Sequence, residues 1–112
     1  MRRINSNESA NELLGEITME LKPGCIVLSK RGRDQGKLFV VTGVMQPDFV
    51  SLADGKIRLL EKPKKKKIKH VAYVDFPEQH RVIDKICSGD KVLNSEIRRL
   101  LKEFSEEKDQ EV

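Results

Sequence analysis

The sequence predicts a small, mainly β domain with an α-helical appendage on its C-terminal side. Three observations carry this. Two apolar runs rich in β-branched residues, at 25–28 and 38–45, flank a basic turn that contains Gly32 and Gly36. Asp54-Gly55, a dipeptide suited to a two-residue hairpin, lies between two further short runs. After Phe76-Pro77 the apolar spacing changes from strand-like to helical.

In chain order, residues 1–18 are polar, with only Leu13, Leu14 and Ile17 as a weak apolar stripe. They read as a flexible tail or one marginal helix. Pro23-Gly24 suits a type II turn, with glycine at the position that needs a positive φ. Strand one is expected at 25–29 and strand two at 38–45, with Gly43 letting strand two bend. Gln46-Pro47-Asp48 forms the next turn and 49–53 the third strand. The Asp54-Gly55 hairpin then delivers a fourth strand at 56–60, and a fifth at 71–74 would close the sheet. Five short strands with tight turns and no intervening long helix describe a small SH3-like β-barrel at 19–76.

The appendage spans 77–105. Val82, Ile83, Ile86 and Cys87 share one face of a short helix that Ser88-Gly89 ends. Leu93, Ile97, Leu100, Leu101 and Phe104 recur at helical spacing, with Asn94 or Asp90 as candidate cap, and are expected to dock on the domain or serve an external partner. Residues 106–112 are acidic and expected to be disordered.

The charge is unevenly distributed. The 112 residues carry a formal +4, but 20–75 hold 13 Lys+Arg against 6 Asp+Glu, a net +7, while both flanks are slightly acidic. The positive charge thus belongs to the domain and implies a polyanionic partner. Cys25 and Cys87 read as two reduced core thiols, and no C-x-x-C or His/Cys cluster suggests zinc or any other cofactor. No apolar leader and no run near the roughly 20 residues of a membrane span is present, so the chain is expected to be cytoplasmic without a membrane partner.

Candidate binding residues fall in two groups. Lys30, Arg31, Arg33 and Lys37 stand on the turn between strands one and two, with Asp34 expected to brace it by pairing with Arg31 or Arg33. Arginine forks grip phosphate bidentately or reach base edges, and lysines add point charge. From the pattern alone, an RNA contact and a solvated turn remain equally open. The second group is Lys62, Lys64, Lys65, Lys66, Lys67 and Lys69, six lysines within eight residues, read as a flexible connector whose mutual repulsion a polyanion would relieve. Gly24, Gly32, Gly36 and Gly55 are assigned structural turn roles. Gly32 to Leu38 only superficially resembles a phosphate-binding nucleotide loop: the glycine spacing is short, Leu38 replaces the metal-binding hydroxyl, and a strand follows. His70 and His80 lack a nucleophile or paired acid and read as surface residues, so no catalysis and no small-molecule substrate are expected. The few aromatics offer no stacking platform for single strands, which favours structured RNA.

The order Pro23-Gly24, apolar strand, basic loop, Gly36-Lys37, apolar strand resembles the KOW motif of ribosomal and transcription-factor proteins, with Gly36 at the motif's characteristic glycine. The resemblance covers roughly 19–75 and extends to small bacterial KOW-domain RNA-binding proteins and to large-subunit ribosomal protein fourteen of archaea and eukaryotes. It implies binding to structured, ribosomal RNA as a ribosomal-protein-like or ribosome-associated translation factor, with ribosomal proteins as further partners, and tips the basic turn towards RNA contact. The alternative is a KOW-type protein-interaction module of a transcription or ribosome-assembly complex.

Overall fold

The computed structural model describes the backbone of residues 21–110 and the side chains of 21–106. The expectations for 1–18 and for the last two residues lie outside that range. Five antiparallel strands form one sheet: β1 (Ile26–Ser29), β2 (Leu38–Met45), β3 (Phe49–Ala53), β4 (Lys64–Lys67) and β5 (Val71–Asp75). They lie in the order β4-β3-β2-β1-β5. A 3-10 turn, Ile68–His70, separates β4 from β5. The sheet is open: β5 is present as expected, but it pairs with β1 and not with β4.

The Pro23-Gly24 turn forms as its residues dictate. Gly24 takes φ 103°, and the Cys25 N–H donates to the Lys22 carbonyl at 3.1 Å. In β2 the ladder to β3 skips Thr42, between the pairs Val41–Leu52 and Gly43–Ser51. The Thr42 and Ser51 hydroxyls close this irregularity at 2.6 Å.

Alternation gives the sheet two apolar faces. Cys25, Val27, Phe39, Val41, Val50, Leu52 and Val71 pack together on the inner face. Ile26 and Val40 point the other way and meet two helices, α1 (Arg81–Ser88) and α2 (Asn94–Gln110). From these, Val82, Ile83, Ile97, Leu100 and Leu101 complete the outer cluster. The helices thus cover the outside of the sheet. Both cysteines are unbridged, and only Cys25 is buried; burial pushes its thiol pKa up, opposed by the Lys22 N–H on its sulfur at 3.4 Å. Cys87 lies exposed on α1, not in the core.

The expected fourth strand at 56–60 does not form, and no two-residue hairpin occurs at Asp54-Gly55. Asp54 Oδ1 instead accepts from the N–H groups of Lys56, Ile57 and Arg58, at 2.9, 3.0 and 2.8 Å. The Arg58 carbonyl accepts from the N–H groups of Asp54 and Gly55. The segment therefore satisfies itself as a side-chain-centred loop. It packs tightly on α2: a Cβ on Gly55 would overlap the Asn94 carbonyl, and Arg98 donates to the Gly55 carbonyl at 2.6 Å.

The place beside β3 is taken by the lysine run, which is a strand rather than a connector. Phe49 to Leu52 pair with Lys67 to Lys64. Lysine is poor in central strands, but an edge strand lets the charged heads reach water while the stems lie along the sheet. Lys65 and Lys67 are exposed, whereas Lys64 and Lys66, opposite the core residues Leu52 and Val50, are half-buried.

α1 is capped at its start by His80, whose Nδ1 accepts from the Val82 N–H at 3.1 Å. It ends at Gly89 (φ 79°), where the Gly89 N–H donates to the Ile86 carbonyl and the Asp90 N–H to the Lys85 carbonyl. The start of α2 differs from expectation. The Leu93 carbonyl receives the first helical bonds, from Glu96 and Ile97, and the Glu96 carboxylate turns back to the Leu93 N–H at 2.9 Å. Asn94 faces the neighbouring loop, accepting from the Leu60 N–H and donating to Glu61, while Asp90 belongs to the end of α1. Leu93 consequently sits outside the docked stripe and is 51% exposed. The helix also runs on to Gln110, so the expected disorder from 106 is corrected over 106–110.

Candidate nucleic-acid interface

The turn between β1 and β2 is held by its own backbone. Ser29 N–H donates to the Lys37 carbonyl at 3.0 Å, and Gly36 N–H to the Ser29 carbonyl at 2.8 Å. Gln35 bonds back to Gly32, and Lys37 to Asp34. Gly32 and Gly36 take φ of 83° and 87°, a region that strains residues with a Cβ. Lys30, Arg31, Arg33 and Lys37 all project into solvent from this frame.

Asp34 does brace the turn, though not through Arg31 or Arg33. It is 7% exposed and pairs with Arg58 from the loop after β3, at 3.1 Å. Arg31 and Arg33 are thereby left with exposed side chains. The Arg58 partnership spans 24 residues and carries no local sequence signal.

Two further bonds join the turn to the lysine strand and to the 3-10 turn that follows it. Lys66 Nζ donates to the Arg31 carbonyl at 2.7 Å, and the Lys30 N–H donates to the His70 carbonyl at 2.9 Å. Ser29 Oγ shares the Arg31 carbonyl at 3.1 Å. The two basic groups, more than thirty residues apart in places, thus form one surface on β4, the 68–70 turn and the β1–β2 turn. Lys65, Lys67 and Lys69 are exposed on it, Lys65 with its ammonium 4.4 Å from the Phe49 ring centroid. Lys62 is exposed in the turn preceding β4. Lys64 and Lys66 serve partly as packing stems.

His70, read from sequence as an ordinary surface residue, lies amid this charge. Desolvation first, and then the charges of Arg31, Lys69, Lys67 and Lys66, hold its imidazole below the usual 6.5. In the free protein it is therefore neutral at pH 7, and its depressed value favours folding above 6.5 and costs stability as pH falls below that value. A bound polyanion would screen the surrounding cations and favour the imidazolium. If RNA binds this surface, its affinity should tighten by roughly two- to five-fold between pH 7.5 and 5.5, the worth of one exposed ion pair. His70→Gln should abolish that change, which a fluorescence-anisotropy titration at the two pH values would measure.

A cleft of about 550 Å³ lies elsewhere, between the N-terminal end of α1 and α2. Its walls mix Arg81 and Arg99 with Glu96 and Glu103. The acids are already engaged: Glu96 with Lys85 at 2.6 Å and Glu103 with His80 at 3.2 Å. The Lys85 ammonium, and next the Leu93 N–H, hold the Glu96 carboxyl below its ordinary range. This cleft has the character of a helix–helix junction braced by ion pairs. Among the described residues no group of three or more His, Cys, Asp or Glu side chains is arranged to hold a metal ion, and no helix is long and apolar enough to cross a membrane.

No protein-family model matches the chain, and no curated protein matches it.

Proposed function

We propose that this chain is a cytoplasmic RNA-binding protein, without catalytic activity, whose KOW-type domain binds structured ribosomal RNA as a ribosomal-protein-like or ribosome-associated factor. The bond from Lys66 Nζ to the Arg31 carbonyl carries the reading, because it fuses two basic segments into one surface fixed by a sheet. A solvated charge run requires no such organisation, whereas phosphate recognition gains from donors held in place. The sheet order, the 3-10 turn before the last strand and the single inner apolar cluster support an SH3-like reading of the domain. The motif order around Gly36 supports the KOW assignment.

Sedimentation through ribosome gradients at two salt concentrations tests the proposal. The protein is expected to travel with ribosomal particles at low salt and to leave them at high salt, because a phosphate-dominated contact weakens as counterions compete. Absence from every ribosomal fraction at low salt would remove the ribosomal part of the reading.

A second reading has one observation in its favour. Ile57 and Leu59 on the loop after β3 and Leu93 at the start of α2 are 61%, 39% and 51% exposed. Asn94 ties that loop to α2 through the Leu60 N–H. An apolar surface there suits a protein partner, such as another component of a ribosome-assembly or transcription complex. Ribosome association that withstands high salt would favour it.

A further inference from the structure

A smaller cavity of about 360 Å³ lies beside the β2–β3 turn, lined by Pro47, Asp48, Lys67, Ile68 and Lys69. Its position is fixed by the backbone: the Ile68 N–H donates to the Asp48 carbonyl at 2.7 Å, tying the turn to the end of β4. Pro47 and Ile68 supply apolar wall, and Lys67 and Lys69 supply charge continuous with the basic surface. Asp48 is the anomaly. Its carboxylate is exposed and makes no hydrogen bond or ion pair with any described residue. A free acid repels phosphate, so it opposes the purpose of a surface built only to hold a backbone.

We infer that this cavity is a base-reading pocket that takes an unstacked guanine, with the Asp48 carboxylate accepting from the guanine N1–H and N2–H and with Lys67 and Lys69 on the adjoining phosphates. The inference deepens the RNA-binding proposal and rests on it. A carboxylate is acceptor-only, with two oxygens side by side. Guanine is the base that presents two adjacent donors on its Watson–Crick edge; adenine, cytosine and uracil do not. Single-stranded loops and bulges are where such an edge is free to be read. The lysines offset the repulsion between Asp48 and the nucleotide phosphate, so the acid selects the base without excluding the backbone.

The test is an amide-resolved NMR titration of the full chain with GMP, IMP and AMP at one ionic strength, following Asp48, Ile68 and Lys69. The three nucleotides carry the same phosphate, and IMP lacks only the guanine 2-amino group. GMP is expected to bind at least about five-fold more tightly than AMP, as a two-point base contact should, with IMP between them. In Asp48→Asn the carboxamide presents one acceptor and one donor, so the preference for GMP over AMP should be lost, while the loss of the acid's repulsion tightens both nucleotides alike through their phosphate. Equal binding of GMP and AMP to the parent, no response at these amides, or an unchanged GMP preference in the variant would each overturn the pocket. Structured-RNA affinity is measured alongside. If that is absent while the GMP preference holds, the RNA-binding reading fails and the pocket stands; if RNA binds and the nucleotides are not distinguished, the reverse is true.

Discussion

Leu100→Asp is expected to destabilise the protein by at least about 3 kcal/mol. Leu100 is 2% exposed and belongs to the outer cluster with Ile26, Val40, Val82, Ile83, Ile97 and Leu101. Removing a buried leucine side chain costs about 2–5 kcal/mol, and a carboxylate placed there without a partner adds its desolvation. That is a large share of the roughly 5–15 kcal/mol that stabilises a domain of ordinary size. Leu93→Asp is the control: the same substitution at the exposed residue just before the same helix, a cap position that favours Asp, should cost no more than about 0.5 kcal/mol relative to the parent. Urea unfolding followed by circular dichroism distinguishes them. Equal midpoints for Leu100→Asp and the parent would mean that α2 does not dock on the sheet.

The contrast between Leu93 and Leu100 shows what periodicity reveals. The helical stripe placed Ile97, Leu100 and Leu101 in the core, and they are there. It included Leu93 because apolar spacing does not announce where a helix begins; that was decided by Glu96 reaching back to the Leu93 N–H. Similarly, β2 and β3 were readable because their apolar runs are continuous and bounded by turn residues. The fourth strand was misplaced for two physical reasons. The dipeptide Asp54-Gly55 has a competing use, in which the Asp54 carboxylate organises the following loop. Four consecutive lysines also carry no strand signature, although an edge beside Phe49 to Leu52 accepts them.

The basic surface was legible as two groups of residues and not as one surface. Charge density singled out Lys30, Arg31, Arg33, Lys37 and the lysine run. Their union depends on β4 pairing with β3, which brings Lys66 onto the Arg31 carbonyl. It depends also on Arg58, which takes Asp34 and leaves the turn arginines exposed. Neither contact has a local pattern. His70 was overlooked because its environment is assembled from three segments, although its place within the run of lysines was visible.

The most direct measurement of the joined basic surface is RNA affinity across a salt series, for the parent and for a variant with Lys65, Lys67 and Lys69 changed to Gln. These three have exposed heads, whereas Lys64 and Lys66 lie half-buried opposite Leu52 and Val50, and Lys66 also holds the Arg31 carbonyl. The variant thus removes charge while sparing the packing stems. If the lysines meet phosphates, each releases about 0.7–0.9 counterion on binding. The plot of log affinity against log salt should then flatten by about 2–3 units, with binding weakened alike for all structured RNAs. A variant with the parent's slope and the parent's affinity would contradict an RNA site on this surface and leave the exposed apolar surface at Ile57, Leu59 and Leu93 as the place where a partner binds.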